Sequence, residues 1–144
     1  MQLRAATHDD LAAVRQLLSS AGLPLDGVED NFDDFIVAEE EERGIAGVIG
    51  VEKYGSAALL RSAAVFPDLR GSGIGGRLVR ELLDRVSAQG VREIYLLTTT
   101  AEEYFPRFGF TRSSRDQVPE PVRASREFQG ACPDTAVVLR RGLP

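Results

Sequence analysis

The sequence predicts a single domain of mixed α/β class, and two observations support this. Between residues 35 and 65, three apolar segments follow one another with short turns between them, which is typical of an antiparallel meander. From residue 57 to 98 the pattern changes to strand, glycine-rich loop, amphipathic helix and strand, which predicts a right-handed parallel crossover. With no repeat and no linker in the sequence, we expect one domain over residues 1–144.

The first half is expected to contain one helix and four strands. A strand over residues 2–6 precedes a helix that Thr7 can cap. Apolar residues then recur at helical spacing until Gly22 and Pro24 end the helix. The next segment is polar, with apolar residues one helical turn apart, and covers residues 26–34. The remaining strands of this half are predicted at residues 35–39, 45–54 and 57–65.

The second half is expected to hold the longest helix and three further strands. Apolar residues from Ile74 to Val86 keep helical spacing, and Gly90 closes that helix. The elements predicted after it are a strand at residues 93–98, a short helix at 101–108, closing strands at 110–112 and 135–140, and a long excursion between these two strands.

Composition and charge exclude several classes of protein. The net charge of −5 argues against a nucleic-acid partner. The single cysteine, Cys132, excludes an internal disulfide, and we expect it to be a buried structural thiol. Because the sequence shows no charged-then-apolar leader and no apolar run of about 18 residues, we expect a cytoplasmic protein that spans no membrane.

Residues 70–76, of sequence Arg-Gly-Ser-Gly-Ile-Gly-Gly, are the most informative stretch. They lie between a predicted strand and the start of a predicted helix, so their backbone can approach a ligand without intervening side chains. Amides of such a loop, together with the positive end of the helix dipole, form an anion site. The sequence therefore predicts a cofactor that carries phosphate.

Two common phosphate loops fit this stretch poorly. Gly71, Gly73 and Gly76 match the dinucleotide pattern, but half the chain precedes them and the next strand ends in threonines, where an acidic residue is expected. A Walker loop is excluded because no Gly-Lys-Ser/Thr follows.

Two motifs resemble those of the GNAT superfamily of N-acetyltransferases. The first is Arg-x-x-Gly-x-Gly from Arg70 to Gly75, and the second is Tyr-Phe-Pro-Arg-Phe-Gly-Phe at residues 104–110. The order of predicted elements agrees along almost the whole chain. The resemblance implies the GNAT fold, with a mixed central sheet of about six to seven strands, helices on both faces, and a splayed parallel pair around the glycine loop.

The resemblance also implies the cofactor and its contacts. Acetyl-CoA, with no metal, would place its pyrophosphate on the glycine loop and its pantetheine between the strands that end at Val65 and Thr98. Backbone groups near residues 63–65 would polarise the acetyl carbonyl. The cofactor residues predicted in this way are Ala63, Ala64, Val65, Arg70, Gly71, Ser72, Gly73, Ile74, Gly75, Gly76, Thr99, Thr100 and Tyr104.

The candidate catalytic acid and base do not stand at the positions that are usual in the family. Family members commonly protonate the leaving thiolate with a tyrosine four residues before the glycine of Gly-Phe, and that position is Phe105 here. Tyr104 is one residue earlier, which turns a helical side chain by about 100°. Tyr104 is the candidate acid, and solvent is the alternative. Glu52 is the candidate base, with Tyr54 as an alternative.

Arg61 is the candidate substrate residue, because it is a cation inside an otherwise apolar strand and needs a partner there. A substrate carboxylate is one open alternative, and the other is a structural arginine with its guanidinium at the sheet rim or on an internal Asp or Glu. The stretch that contains Arg61 and Ser62, together with residues 125–128, is similar to arsenic-resistance N-acetyltransferases and to N-acetylglutamate synthases. This resemblance implies an amino-acid-like acceptor that carries a carboxylate.

The sequence therefore predicts an acetyl-CoA-dependent N-acetyltransferase that acts on a small amine, as a monomer or homodimer. Two alternatives stay open. One is an enzyme that acetylates proteins or peptides. The other is a coenzyme A-binding sensor without catalysis, which would bind the cofactor and turn over no amine.

Overall fold

A seven-stranded sheet forms the centre of the computed structural model, which describes residues 1–144. Three helices and several single turns cover the two faces of this sheet. The strands are β1 (Gln2–Ala5), β2 (Ile36–Glu40), β3 (Gly44–Tyr54), β4 (Ala57–Val65), β5 (Glu93–Thr98), β6 (Thr111–Arg112) and β7 (Val137–Gly142). The helices are α1 (Leu11–Ser20), α2 (Ile74–Ala88) and α3 (Glu120–Arg123).

The strand order confirms the predicted mixed class. The order is β1-β2-β3-β4-β5-β7-β6, and β4 with β5 is the one parallel pair. Helix α2 connects these two strands and forms the predicted crossover. The last strand, β7, lies between β5 and β6, so the end of the chain completes the sheet beside the parallel pair.

Alternate residues of the strands pack against different helices. Ile36 and Ile49 belong to the core under α2, whereas Val37 and Val48 belong to the core under α1. Successive strand residues point to opposite faces, so α1 and α2 cover opposite faces of the sheet. Val122 of α3 belongs to a third, smaller core that also contains strand residues. None of the helices has both the length and the apolar character needed to cross a membrane.

The region after β5 differs from its prediction. The helix expected at residues 101–108 is a single 3-10 turn at Phe105–Phe108, because Pro106 has no N–H to continue a helix and Gly109 ends the turn at φ +86°. The excursion before β7 contains α3 and a turn at Glu127–Ala131, which the sequence pattern did not predict. Val122 of α3 packs in the core that contains Ala57 and Leu59 of β4, and Glu127 faces Arg61 of the same strand.

Candidate active site

The parallel strands β4 and β5 separate part-way along their length. Their register ends where Leu59 lies opposite Tyr95. Beyond this pair, β4 continues to Val65 and β5 continues to Thr98 with no register between them. The gap therefore opens at the carboxyl ends of the two strands, where open α/β sheets commonly bind ligands.

A bulge in β4 lies where the two strands part. The register of β4 with β3 shifts between Gly50 and Val48, so Ser62 and Ala63 have no register partner. Ser62 has a φ of +60°, a left-handed conformation that is uncommon for a residue with a side chain. Because bulges bend the strand that carries them, this bulge accounts for the turn of β4 away from β5.

A cavity of about 640 Å³ extends from this gap to the start of α2. It also reaches Ala21 and Leu23, which follow α1. Most of the predicted cofactor residues line it, so the fold brings them together. They are Ala63, Ala64, Val65, Arg70, Gly71, Gly73, Gly75, Gly76, Thr100 and Tyr104.

Three predicted cofactor residues lie beside the cavity instead. The hydroxyl of Ser72 donates to the carbonyl of Leu69 at 2.5 Å, within the glycine loop. The side chain of Ile74 packs in the core under α2, so only its backbone faces the loop. Thr99 lines an adjacent opening of about 460 Å³, which shares Tyr104 with the main cavity.

The glycines of the loop serve different purposes. Gly73 precedes α2 with a φ of +90°, and a Cβ atom there would meet no atom within 4 Å. This position needs glycine for its backbone conformation, and a side chain would project into open space beside the loop. A Cβ atom on Gly75 would lie 3.1 Å from the hydroxyl oxygen of Tyr104, so Gly75 leaves room for that group.

Arginine side chains add positive charge to this end of the cavity. Arg70, Arg80 and Arg107 line it, next to the amino terminus of the 15-residue helix α2. Backbone amides, the helix dipole and these cations favour an anion at the same place. The sequence analysis missed Arg80 and Arg107, since both lie on exposed faces and neither belongs to the matched part of the glycine motif.

Tyr104 faces the cavity, although it stands one position before the family's usual tyrosine. Its half-buried ring packs edge-on against Phe105 and Phe108, and the guanidinium of Arg107 lies 5.5 Å from the ring centre. Burial raises the pKa of the Tyr104 phenol, while Arg107 and Arg80 partly oppose this. The phenol therefore keeps its proton at neutral pH. Phe105, at the usual tyrosine position, packs in the core against Phe110.

The candidate base and substrate residues lie together in a buried polar group outside the cavity lining. We call Glu52, Tyr54, Arg61, Glu127 and Cys132 the Arg61 cluster. Arg61 Nη1 donates to Glu52 Oε2 at 2.6 Å, and the Tyr54 hydroxyl donates to the other oxygen of Glu52. Glu127 Oε2 lies 3.6 Å from Arg61 Nε. The internal acid that the sequence analysis left open as a partner of Arg61 is therefore present.

Arg61 has two further hydrogen bonds. Its Nη2 donates to the carbonyl of Pro24 at 3.2 Å, and its Nε donates to the hydroxyl of Ser62 at 3.0 Å. The Arg61 side chain is 0% exposed, while Glu52 and Glu127 each retain 5% exposure. Pro24 directly follows Leu23, which lines the cavity, so this bond connects Arg61 to the segment that borders the cavity after α1.

Burial changes the ionisation of this cluster. It raises the pKa of Glu127 to about 7, although Arg61 opposes the shift. It also raises the pKa of the half-buried Cys132 thiol to about 12, helped by the charge of Glu127 and by a hydrogen bond to it. Burial and Glu52 raise the pKa of Tyr54 in the same way. The thiol and the phenol are therefore neutral at neutral pH, while Glu127 is divided between its two forms.

The sequence analysis missed Glu127 as a member of this cluster. It precedes β7 in a segment whose fold the pattern did not predict, and no local motif marks it. The structure contains no group of three or more His, Cys, Asp or Glu side chains that could hold a metal ion.

Several known proteins are similar to this chain. The amino-acid acetyltransferase of Ralstonia nicotianae is 31% identical over a match that covers 88% of this chain and 30% of that protein. The chain therefore spans less than a third of that relative's length. N-acetylglutamate synthase from Neisseria gonorrhoeae, solved with coenzyme A and N-acetyl-glutamate, has a TM-score of 0.85 at 23% identity. That match covers 99% of this chain and 35% of the synthase.

A second solved structure matches over its full length. Rv2747 from Mycobacterium tuberculosis, solved in complex with CoA, has a TM-score of 0.84 at 22% identity and is covered completely, as is this chain. At these identities the likeness is one of fold. The family model described as the acetyltransferase (GNAT) domain matches residues 31–112, which is more than half of the chain. This range includes the glycine loop and the Tyr104 turn, and the chain belongs to the GNAT family of acetyltransferase domains.

Proposed function

We propose that this chain transfers the acetyl group of acetyl-CoA to the amine of a small, amino-acid-like acceptor that carries a carboxylate. The observation that carries the proposal is the cavity in the β4–β5 gap, lined by the glycine loop. Family membership supports the reaction, and the similarity to amino-acid acetyltransferases supports the acceptor class.

The residues around the cavity fit coenzyme A. Amides of residues 71–76 and the guanidinium of Arg70 would hold the pyrophosphate, as at other helix amino termini. The pantetheine would lie in the gap, against Ala63 to Val65 on one side and toward Thr99 and Thr100 on the other. When bound, the cofactor supplies an acyl group that is activated as a thioester. Backbone amides of the bulged part of β4 would stabilise the charge that develops on the carbonyl oxygen.

Tyr104 is the proposed donor of the proton to the departing sulfur. Its phenol borders the cavity and is neutral at neutral pH. In the reaction, the neutral amine nitrogen forms a bond to the acetyl carbon and the carbon–sulfur bond breaks. Tyr104 then gives its proton to the sulfur, and a proton released by the nitrogen restores the phenol.

Arg61 and Ser62 are the proposed contacts for the acceptor carboxylate. Of the three hydrogen bonds of the guanidinium, the bond to the Pro24 carbonyl is the longest, at 3.2 Å. A carboxylate is a stronger acceptor than a carbonyl, so an acceptor that enters from the cavity would displace Pro24 from Nη2. Glu52 orients the guanidinium through Nη1. A role for Glu52 as the base remains a prediction from the sequence.

The test is a turnover assay with matched acceptors. Purified protein is mixed with acetyl-CoA and with amino acids, the same amino acids as carboxamides, and short peptides, while thiol release is followed. We expect turnover of at least one amino acid and at least about tenfold lower kcat/KM for its carboxamide, because a neutral amide oxygen is a weaker acceptor for a guanidinium than a charged carboxylate. Preference for a peptide would reassign the acceptor. Binding of coenzyme A without any turnover would identify a sensor module.

A further inference from the structure

The Arg61 cluster contains two carboxyl groups and only one cation. Arg61 is its one positive charge, and Glu52 and Glu127 both lie within 4 Å of that guanidinium. Burying a carboxylate is costly unless a cation and hydrogen bonds compensate it. The cluster can therefore accommodate a second cation beside its carboxylates.

The two carboxylates are not held equally. Glu52 accepts from Arg61 at 2.6 Å and from the Tyr54 hydroxyl. Glu127 lies 3.6 Å from Arg61 Nε, and that N–H group donates to Ser62 instead. Its other polar neighbour is the thiol of Cys132, which is a weak donor. Glu127 is thus the carboxylate with acceptor capacity left for a ligand.

Glu127 is connected to the cavity through β4. It faces Arg61, which is two residues before Ala63 in that strand. Ala63 is exposed and lines the cavity. An amino acid whose carboxylate binds Arg61 Nη2 would bring its amino nitrogen, two bonds away from the carboxylate carbon, into the same small region.

We propose that Glu127 binds the ammonium group of the acceptor and takes one proton from it, which leaves the neutral amine that attacks the acetyl carbon. This inference rests on the proposed function and deepens it. An aliphatic amine has a pKa of about 10, so it arrives protonated at neutral pH and cannot attack in that form. The first proton moves from nitrogen to a carboxylate oxygen of Glu127 and leaves to solvent when the product departs. The second proton leaves the nitrogen as the amide forms and restores the proton that Tyr104 gives to sulfur.

The surroundings of Glu127 suit this role. A base works best when its pKa is near the working pH, and burial brings the pKa of Glu127 to about 7. The charged or titratable groups that act on it are Arg61, Glu52, Tyr54, Cys132 and Asp26. Of these, Arg61 favours the ionised form, while Glu52 and Asp26 oppose it. The rate is therefore expected to rise with pH through about 7, as Glu127 loses its proton.

The experiment compares two acceptors that carry the same carboxylate. Glycine has an ammonium group at neutral pH, whereas the nitrogen of aminooxyacetate is already neutral and needs no base. For Glu127→Gln, we expect kcat/KM for glycine, or for the best amino acid of the acceptor panel, to fall about 100-fold or more. The rise with pH near 7 should disappear. With aminooxyacetate the same variant should stay within about threefold of wild type.

Further variants separate this role from a structural one. Glu127→Asp keeps a carboxylate, so its rate should be lower but should still rise with pH. This variant still tests the proposal if Glu127→Gln does not fold. Glu120→Gln, an exposed acid on α3, should change nothing. Equal losses with both acceptors would make Glu127 structural and overturn the proposal. Loss of the pH rise in Glu52→Gln but not in Glu127→Gln would assign the base to Glu52. A wild-type protein that turns over no acceptor would refute the proposed function itself, and this role with it.

Discussion

The glycine loop and the Arg61 cluster are built from different chemical groups. The glycine loop at residues 70–76 offers mainly backbone amides, and arginine side chains add positive charge around it. The Arg61 cluster offers charged side chains, which are buried and hold one another in place. The stability of the fold therefore depends differently on the glycine loop and on the Arg61 cluster. A change in the loop alters a binding surface, whereas a change in the cluster leaves an uncompensated charge in the interior.

The largest expected effect is the loss of stability when Arg61 is removed from the cluster. Arg61→Ala leaves Glu52 and Glu127 buried without their cation, which should lower the free energy of unfolding by about 3–5 kcal/mol. The matched control is Arg85→Ala, which removes a surface ion pair to Glu81 of similar length, 2.8 Å against 2.6 Å. We expect that control to cost less than about 1 kcal/mol. Urea unfolding of the two variants measures the difference.

A small loss in Arg61→Ala would contradict the view that the cluster is a structural element. Arg61→Lys sharpens the test, because an ammonium group restores the charge but cannot donate to Glu52, Pro24 and Ser62 from one planar fork. We expect Arg61→Lys to recover only part of the stability. Full recovery would mean that charge alone matters.

The next effect concerns chemistry at the cofactor end. Tyr104→Phe removes the proposed proton donor and keeps the ring that packs against Phe105 and Phe108. We expect kcat to fall on the order of 100-fold, the low end for acid catalysis, because a thiolate already leaves well. Affinity for coenzyme A should barely change. The measurements are steady-state kinetics and a calorimetric titration, and a kcat near that of wild type would assign the proton to solvent.

The glycine loop and the Arg61 cluster also differ in how much of each the sequence predicts. The glycine loop is contiguous, and its spacing between a strand and a helix is enough to predict an anion site. The Arg61 cluster draws on residues near positions 24, 52, 61 and 127, which only the folded sheet brings together. Arg61 could be identified as a cation that needs a partner, but its partners could not.

Local geometry limited two other predictions. The direction of Tyr104 was uncertain because an α-helix advances by about 100° per residue, whereas the turn formed there is 3-10, with about 120° per residue. The bulge at Ser62 carries no glycine to mark it, so the sequence predicted the splayed strands only through the family resemblance. The sheet was predictable in class and in strand positions, because its apolar periodicity is regular.

The smallest expected effect is on coenzyme A affinity, when a side chain is added to the glycine loop at Gly73. Gly73 and Gly90 lie just beyond opposite ends of α2, with φ values of +90° and +95°, and a Cβ atom at either position would meet no atom within 4 Å. Valine imposes the same kind of backbone strain at both positions, so both variants should lose similar stability.

Only at Gly73 does the side chain stand beside the proposed pyrophosphate site. Losing one or two hydrogen bonds to a charged group should lower coenzyme A affinity of Gly73→Val by about 10- to 100-fold relative to Gly90→Val. Calorimetric titration at a temperature where both variants are folded measures this ratio. Equal affinities would place the pyrophosphate elsewhere, and the contrast between a loop that acts through its backbone and a cluster that acts through side chains would then be wrong.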